Sequence, residues 1–250
     1  MAKTKTKKII HAGSLVVEAI YPRLSRSDSP KVRAAKRKAS SEAQRRMNKI
    51  YSYQKLELLL AANFRPGDLV ITLTCDDAHL PKNRKEASAQ LKYFRASLTA
   101  ARKRRGQELV MVWSTEHRHG EGRWHHHCVI NATGDDYDLI RKLWIYGSDI
   151  EIKPLRVDRE KNYESLAKYM AKEDREKLGL RSWSYTRNAK KPEVETFRVE
   201  DETQLQAPKG SMILAEVSER TEYASYKVIK YLAPGWEARR AARAKRRRKR

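Results

Sequence analysis

The chain has 250 residues and carries 55 Lys+Arg against 31 Asp+Glu, a formal net charge of +24 and a pI of about 10.1, with 40% hydrophobic residues. This apolar content at this length supports a buried core and excludes a disordered polycation, and the charge calls for a polyanionic partner, nucleic acid ahead of anionic membrane. No run nears the roughly 18 apolar residues of a spanning helix, the N-terminus lacks a secretory apolar core, and a cytoplasmic protein without membrane association is expected.

In chain order, residues 8–21 read as a strand or hairpin around Gly13 that ends at Pro22. Ser40 and Ser41 precede a helix over 41–62, marked by Met47, Ile50, Leu56, Leu59 and Leu60 at near-helical spacing. A turn at 65–68 leads into a β-branched strand, LVITLTC, at 69–75, and an amphipathic helix follows over 87–103 through Leu91, Phe94, Leu98 and Ala101. Strands are predicted at 108–116 and 124–131, joined by a Gly-containing hairpin connection over 117–123. A helix over 135–143, a strand over 149–157, a helix over 163–177 and late strands at 212–217 and 226–231 complete the series. The order places the chain among α+β folds with an antiparallel sheet and a split βαβ core. Its two cysteines, Cys75 and Cys128, sit far apart in apolar strands. That spacing offers neither a disulfide framework nor a Cys-x-x-Cys zinc site, so both are expected in the core.

The charge is uneven. Residues 1–50 hold 14 Lys+Arg and 3 Asp+Glu, residues 237–250 hold 9 and 1, and the remainder carries a net +5. The end of the chain, EARRAARAKRRRKR, has the composition of a polybasic arm that orders on phosphates. The expected organisation is a basic N-terminal extension with a long helix over 1–64, a catalytic domain over 65–236, and the tail over 237–250.

Three consecutive histidines, His125, His126 and His127, lie in a strand, where side chains alternate between faces. His125 and His127 therefore project together, and imidazole nitrogens suit first-row divalent metals. A bare His-x-His is more often a metal-free surface cluster. His117 and His119 across the hairpin raise a four-histidine zinc site as an alternative. Glu116 shares the face of the pair if the register sets it opposite His125 or His127, and a one-residue slip offers His117 instead.

The segment SLAKYMAKE, residues 165–173, places Tyr169 and Lys172 three apart on one helix face, with Ser165 a turn earlier. A tyrosine hydroxyl, with a reference pKa near 10, attacks phosphate only with a cation or base nearby, and Lys172 is placed to serve.

A strand like LVITLT, then His-x-His in a strand, then a helix with Tyr-x-x-Lys resembles, in that order, the HUH endonucleases of rolling-circle replication initiators, and is most similar to the single-domain initiators of bacterial phages and plasmids. The resemblance spans roughly residues 41–193 and includes KLELLLAANFRPGDLVITLT and RSWSYTRNAKKPE. It implies a ferredoxin-like split βαβ core. His125 and His127 become metal ligands with Glu116 as the third, Tyr169 the nucleophile and Lys172 its assistant, with Mg²⁺ or Mn²⁺ as the ion. Two-tyrosine relatives carry a second nucleophile one turn earlier, where this chain has Ser165, and Tyr163 lies about 120° round the helix. One active tyrosine is expected.

The implied activity is nicking and religation of single-stranded DNA at a rolling-circle origin, through a metal-assisted 5′-phosphotyrosine intermediate, in the cytoplasm of a bacterial host. Partners are the single-stranded origin or its hairpin and, because the chain has no P-loop and so no nucleotide cofactor of its own, a host helicase. A single-tyrosine transposase or relaxase would share the chemistry. A non-enzymatic nucleic-acid-binding protein would share only the charge.

Overall fold

The structure is a computed structural model that describes residues 4–22, 41–117, 122–159, 161–172, 182–200, 202–220 and 225–238. The N-terminal half contains β1 (Thr4–Ala12), β2 (Leu15–Pro22), α1 (Ser41–Asn63), β3 (Leu69–Thr74), a 3₁₀ turn (Asp77–His79), α2 (Arg84–Arg104) and β4 (Met111–His117). Then follow β5 (Trp124–Ile130), α3 (Asp136–Leu143), β6 (Ile150–Pro154), α4 (Glu164–Met170), β7 (Trp183–Tyr185), β8 (Glu193–Glu200), β9 (Met212–Arg220) and β10 (Ser225–Leu232). The architecture is mixed α and β with two antiparallel five-stranded sheets. The chain divides into two units, residues 52–190 and residues 1–51 with 191–250. Among the described residues, no helix is long and apolar enough to cross a membrane.

In the 52–190 unit the sheet order is β6-β3-β5-β4-β7. β3 and β4, joined through α2, flank β5; β5 and β6, joined through α3, flank β3. Side-chain alternation gives the sheet two different faces. On one, Leu69, Ile71 and Leu73 of β3, Met111 of β4, and Trp124, Cys128 and Ile130 of β5 pack against Leu91, Phe94 and Leu98 of α2 and Ile140 of α3. On the other, Val112 and Val129 bury beneath Leu56, Leu59 and Leu60 of α1 and Ala167 and Met170 of α4. That second apolar cover lies over one end of the strands; towards the other end the same face carries Thr72, Thr74, Ser114, Glu116, His125 and His127. Helices on both faces thus leave a polar patch in register across three strands. Cys75 and Cys128 are both buried and free, with burial pushing the Cys75 thiol up to about 11.

The local signals explain the element ends. Asn83 caps α2 by accepting from the N–H groups of Lys85 and Glu86 at 3.0 Å each. The helix expected over 163–177 is a correction: α4 ends at Met170, and residues 173–180 lie outside the described residues. Its last turn closes through Ala171 N–H to Ala167 O at 3.0 Å and Lys172 N–H to Tyr169 O at 3.4 Å. Tertiary contacts override helix propensity here, because Ala171 buries in the core under α1 while Lys172 turns to reach Glu116. The strand expected over 149–157 is likewise shorter, since Pro154 ends β6 where its pairing with β3 stops.

The unit of residues 1–51 and 191–250 builds on the β1–β2 hairpin, whose two-residue turn begins at Gly13 with φ +65°, the sign that primed hairpin turns require. Its sheet order is β8-β1-β2-β10-β9. Val16, Ile229 and Tyr231 form its small core, with Ile9, Leu205 and Ala207 packed against it. Buried Glu18 accepts from the Tyr231 hydroxyl at 2.6 Å and pairs with Lys7 Nζ at 2.7 Å.

Candidate functional site

The β4–β5 register sets Glu116 opposite His125 and Ser114 opposite His127, and the β3–β5 register sets Thr74 opposite His125 and Thr72 opposite His127. Glu116 therefore shares the face of the two histidines. His117 pairs with Trp124, on the opposite face, and its ring lies 4.7 Å from the indole. His119, part of the four-histidine alternative, lies outside the described residues.

The side chains converge on His127. Its Nε2 is 3.1 Å from Glu116 Oε2 and 3.2 Å from the Tyr169 hydroxyl, and its Nδ1 is 3.3 Å from Thr72 Oγ1. His125 Nδ1 is 3.2 Å from Thr74 Oγ1. Lys172 Nζ sits 3.0 Å from Glu116 Oε1 and 4.1 Å from the centre of the Tyr169 ring. Although α4 ends before Lys172, Tyr169 and Lys172 still meet at one place. Ser165 bonds Asp158, and Tyr163 buries in the core under α1.

The electrostatics are mutually consistent. Burial alone would raise the Glu116 carboxyl, but the ion pair with Lys172 and the contact with His127 hold it below the usual carboxylate range. Burial pushes the His127 imidazole down against the opposing pull of Glu116. The pair is therefore an ionised carboxylate beside a neutral ring. In one tautomer His127 Nε2–H donates to Glu116 and the Thr72 hydroxyl donates to Nδ1. In the other, Nδ1–H donates to Thr72 and Nε2 accepts from the Tyr169 hydroxyl. A threonine hydroxyl serves either tautomer, because it both donates and accepts.

Two imidazoles and a carboxylate on one sheet face are a donor set that first-row divalent ions take, and the threonine at each Nδ1 is the kind of outer contact that orients a ligating ring. The residues fit such an ion in type, in face and in second-layer support. Among the described residues, however, no three His, Cys, Asp or Glu side chains are gathered around a common point. Sequence reasoning missed the two threonines, although their i, i+2 spacing in LVITLT matched that of the histidines.

His126 belongs to the other face. It is fully buried, its Nδ1 lies 3.0 Å from Thr115 Oγ1, and its ring meets Trp144 edge-on at 5.6 Å. Burial, followed by the charges of His127, His125 and Arg84, pushes it down to about 3. The unfolded value is near 6.5, so the unfolded chain binds more protons between these limits. Its contribution to stability is complete above pH 6.5 and is lost as the pH falls towards 3. His126→Leu is expected to flatten the acid limb of urea-denaturation stability by up to about 1.4 kcal/mol per pH unit. An unchanged slope would place the acid-sensitive group elsewhere.

Residues 68–174 match the family model of the replication-associated protein ORF2. No curated protein and no solved structure matches the chain. The matched span falls inside the 52–190 unit and contains β3, the histidine strand, Tyr169 and Lys172. The similarity is to proteins of replication, and it covers the segment that carries the converging side chains.

Proposed function

We propose that the chain is a single-tyrosine rolling-circle replication initiator of the HUH endonuclease type, which nicks and religates one DNA strand in a bacterial host. The observation that carries this reading is the meeting of Tyr169, His127, Glu116 and Lys172 within one replication-associated family match. The strand order, with β5 between β3 and β4, is that of a split βαβ unit and supports the same assignment.

His125, His127 and Glu116 would hold the divalent ion, Mg²⁺ or Mn²⁺, which when bound supplies Lewis-acid polarisation of the scissile phosphate. Tyr169 is the nucleophile: its hydroxyl oxygen bonds to phosphorus as the bond from phosphorus to the 3′-oxygen breaks, leaving a 5′-phosphotyrosyl link and a free 3′-hydroxyl. One phosphoester replaces another, so the step is close to balanced and runs backwards on religation. The Lys172 ammonium lies against the ring that becomes phenolate and favours that charge. Thr72 and Thr74 fix the two imidazoles.

Charge is divided between the units. Residues 1–51 and 191–250 hold 29 Lys+Arg against 12 Asp+Glu, whereas residues 52–190 hold 26 against 19. The more basic unit is suited to sequence-independent phosphate contacts around the nick, and a host helicase would open the duplex ahead.

The test uses the full chain with Mn²⁺ and 3′-end-labelled single-stranded oligonucleotides tiling the replicon that encodes it. A denaturation-resistant labelled protein band, with the nucleotide mapped to Tyr169 by peptide mass, is expected. Tight binding without cleavage or adduct would leave a non-enzymatic binder instead, and an adduct on another residue would overturn the site.

A further inference from the structure

A strand-cutting protein must hold unpaired bases, and the tryptophans are already engaged. Trp124 and Trp144 are buried, Trp113 lies under the Arg95 guanidinium at 4.5 Å, and Trp183 Nε1–H donates to Ser52. The exposed aromatic surface of the 52–190 unit lies at another cluster. Tyr146 meets Tyr93 edge-on at 6.4 Å and His79 at 5.9 Å, and it rests on Trp144 at 5.2 Å. Trp144 in turn contacts His126, so a column of edge-to-face rings runs from the histidine strand to the surface. Tyr93 is 55% exposed at its outer end, and the His79 side chain is 46% exposed.

The cluster is held rigidly, and it is held to the strand end that carries the candidate site. Trp144 Nε1–H donates to Thr74 O at 3.1 Å, and Asp76 N–H donates to Tyr146 O at 2.9 Å. A Cβ at Gly147 would lie 2.3 Å from Thr74 O, so only glycine lets this loop pass so close. Thr74 is the residue whose hydroxyl contacts His125. His79 is fixed by Asp76 Oδ1 at 2.8 Å, and Gln90 donates to the His79 carbonyl at 2.8 Å. The neighbouring carboxylates carry cation partners: Asp76 faces His79, and Asp77 pairs with Arg123 at 3.0 Å. Lys82, Lys85 and Lys92, on the same stretch of chain, are exposed.

We propose that Tyr93, Tyr146 and His79 form a stacking ledge for unpaired bases of a single-stranded nucleic acid, with the nearby lysines on its phosphates. The inference rests on the reading that the chain handles single strands, and it adds where the bases lie. Flat π surfaces on a pre-ordered support, inside a chain of net charge +24, are what sequence-tolerant strand binding needs. An aliphatic protein-docking patch would need neither the rings nor the lysines.

The test is anisotropy binding of the full chain, without added divalent metal, to a labelled oligo-dT of about 15 nucleotides and to an abasic strand of equal length. Tyr93→Ala is expected to weaken binding of the base-bearing strand about fivefold or more, with abasic binding unchanged and Tyr93→Phe behaving as wild type. Equal loss on both strands would show a charge or folding effect and overturn the ledge. No loss on either would overturn it too and leave the rings to a protein partner. Because nothing is cleaved without metal, the outcome is separate from the adduct assay. An adduct with unchanged Tyr93→Ala binding sinks only the ledge, and base-dependent loss without an adduct sinks only the nuclease.

Discussion

Tyr169→Phe is expected to abolish the covalent DNA adduct and to lower nicking by about three orders of magnitude or more, while leaving metal-free strand binding near wild type. The substitution removes one oxygen. The ring keeps its edge-on contact with His127 at 4.8 Å and its place beneath Lys172. At 39% exposure the side chain contributes little to the core, so a stability change of roughly 0.5 kcal/mol or less is expected. The loss is therefore chemical. Lys172→Met is the informative companion: it should slow adduct formation without preventing it, because it removes a charge next to the nucleophile and leaves the nucleophile itself. An adduct that survives Tyr169→Phe would move the reaction to another residue.

The site was legible in the sequence to the extent that period-two alternation fixes faces. Three adjacent histidines can put only the outer two together, and β5 does so. Whether Glu116 or His117 faced them depended on hairpin register, which the sequence left open because residues 117–123 allow more than one connection; pairing of Glu116 with His125 sets the face. Helical spacing brought Tyr169 and Lys172 together, but not for the reason that spacing suggests. Lys172 lies beyond the end of α4 and reaches the ring through its ion pair with Glu116, a contact 56 residues away in the chain that no local pattern encodes. Burial also separates His126 from its neighbours. Its identity suggests a ligand, while its face makes it a neutral core ring.

The fold was legible where amphipathic patterning was strong, as in α1, α2, β3 and β5, and obscure where strands are exposed on both sides. β8, EVETFRVE, is nearly all exposed, so nothing in its hydrophobic pattern announces a strand; β1 defines it by pairing along its length. Similarly, β10 was readable as a strand, but its pairing with β2 joins residues some 200 positions apart. That pairing brings the two ends of the chain into one sheet, which a count of charge along the sequence treats as separate flanks.

Replacing Arg102 by Met is expected to destabilise the 52–190 unit by about 3–5 kcal/mol, the largest structural effect available to a single substitution here. Arg102 is fully buried in the last turn of α2 and reaches three elements. Its guanidinium donates to Asp136 Oδ1 at 2.6 Å, to Asn131 Oδ1 at 2.9 Å and to the Asn131 carbonyl at 2.8 Å. Asn131 in turn accepts from Val110 N–H at 2.8 Å, and Asp136 accepts from Thr133 N–H at 2.6 Å. Losing the cation leaves Asp136, itself 1% exposed, with hydroxyl and amide donors but no countercharge. The penalty is therefore that of a stranded charge more than of a lost contact. It should appear as a fall of roughly 10–20 °C in the thermal midpoint. Arg102→Met with Asp136→Leu should recover most of the loss, since replacing both members of a buried pair by apolar groups is often close to neutral. If the double variant is no more stable than Arg102→Met alone, the cost lies in packing at the end of α2 rather than in the unpaired carboxylate.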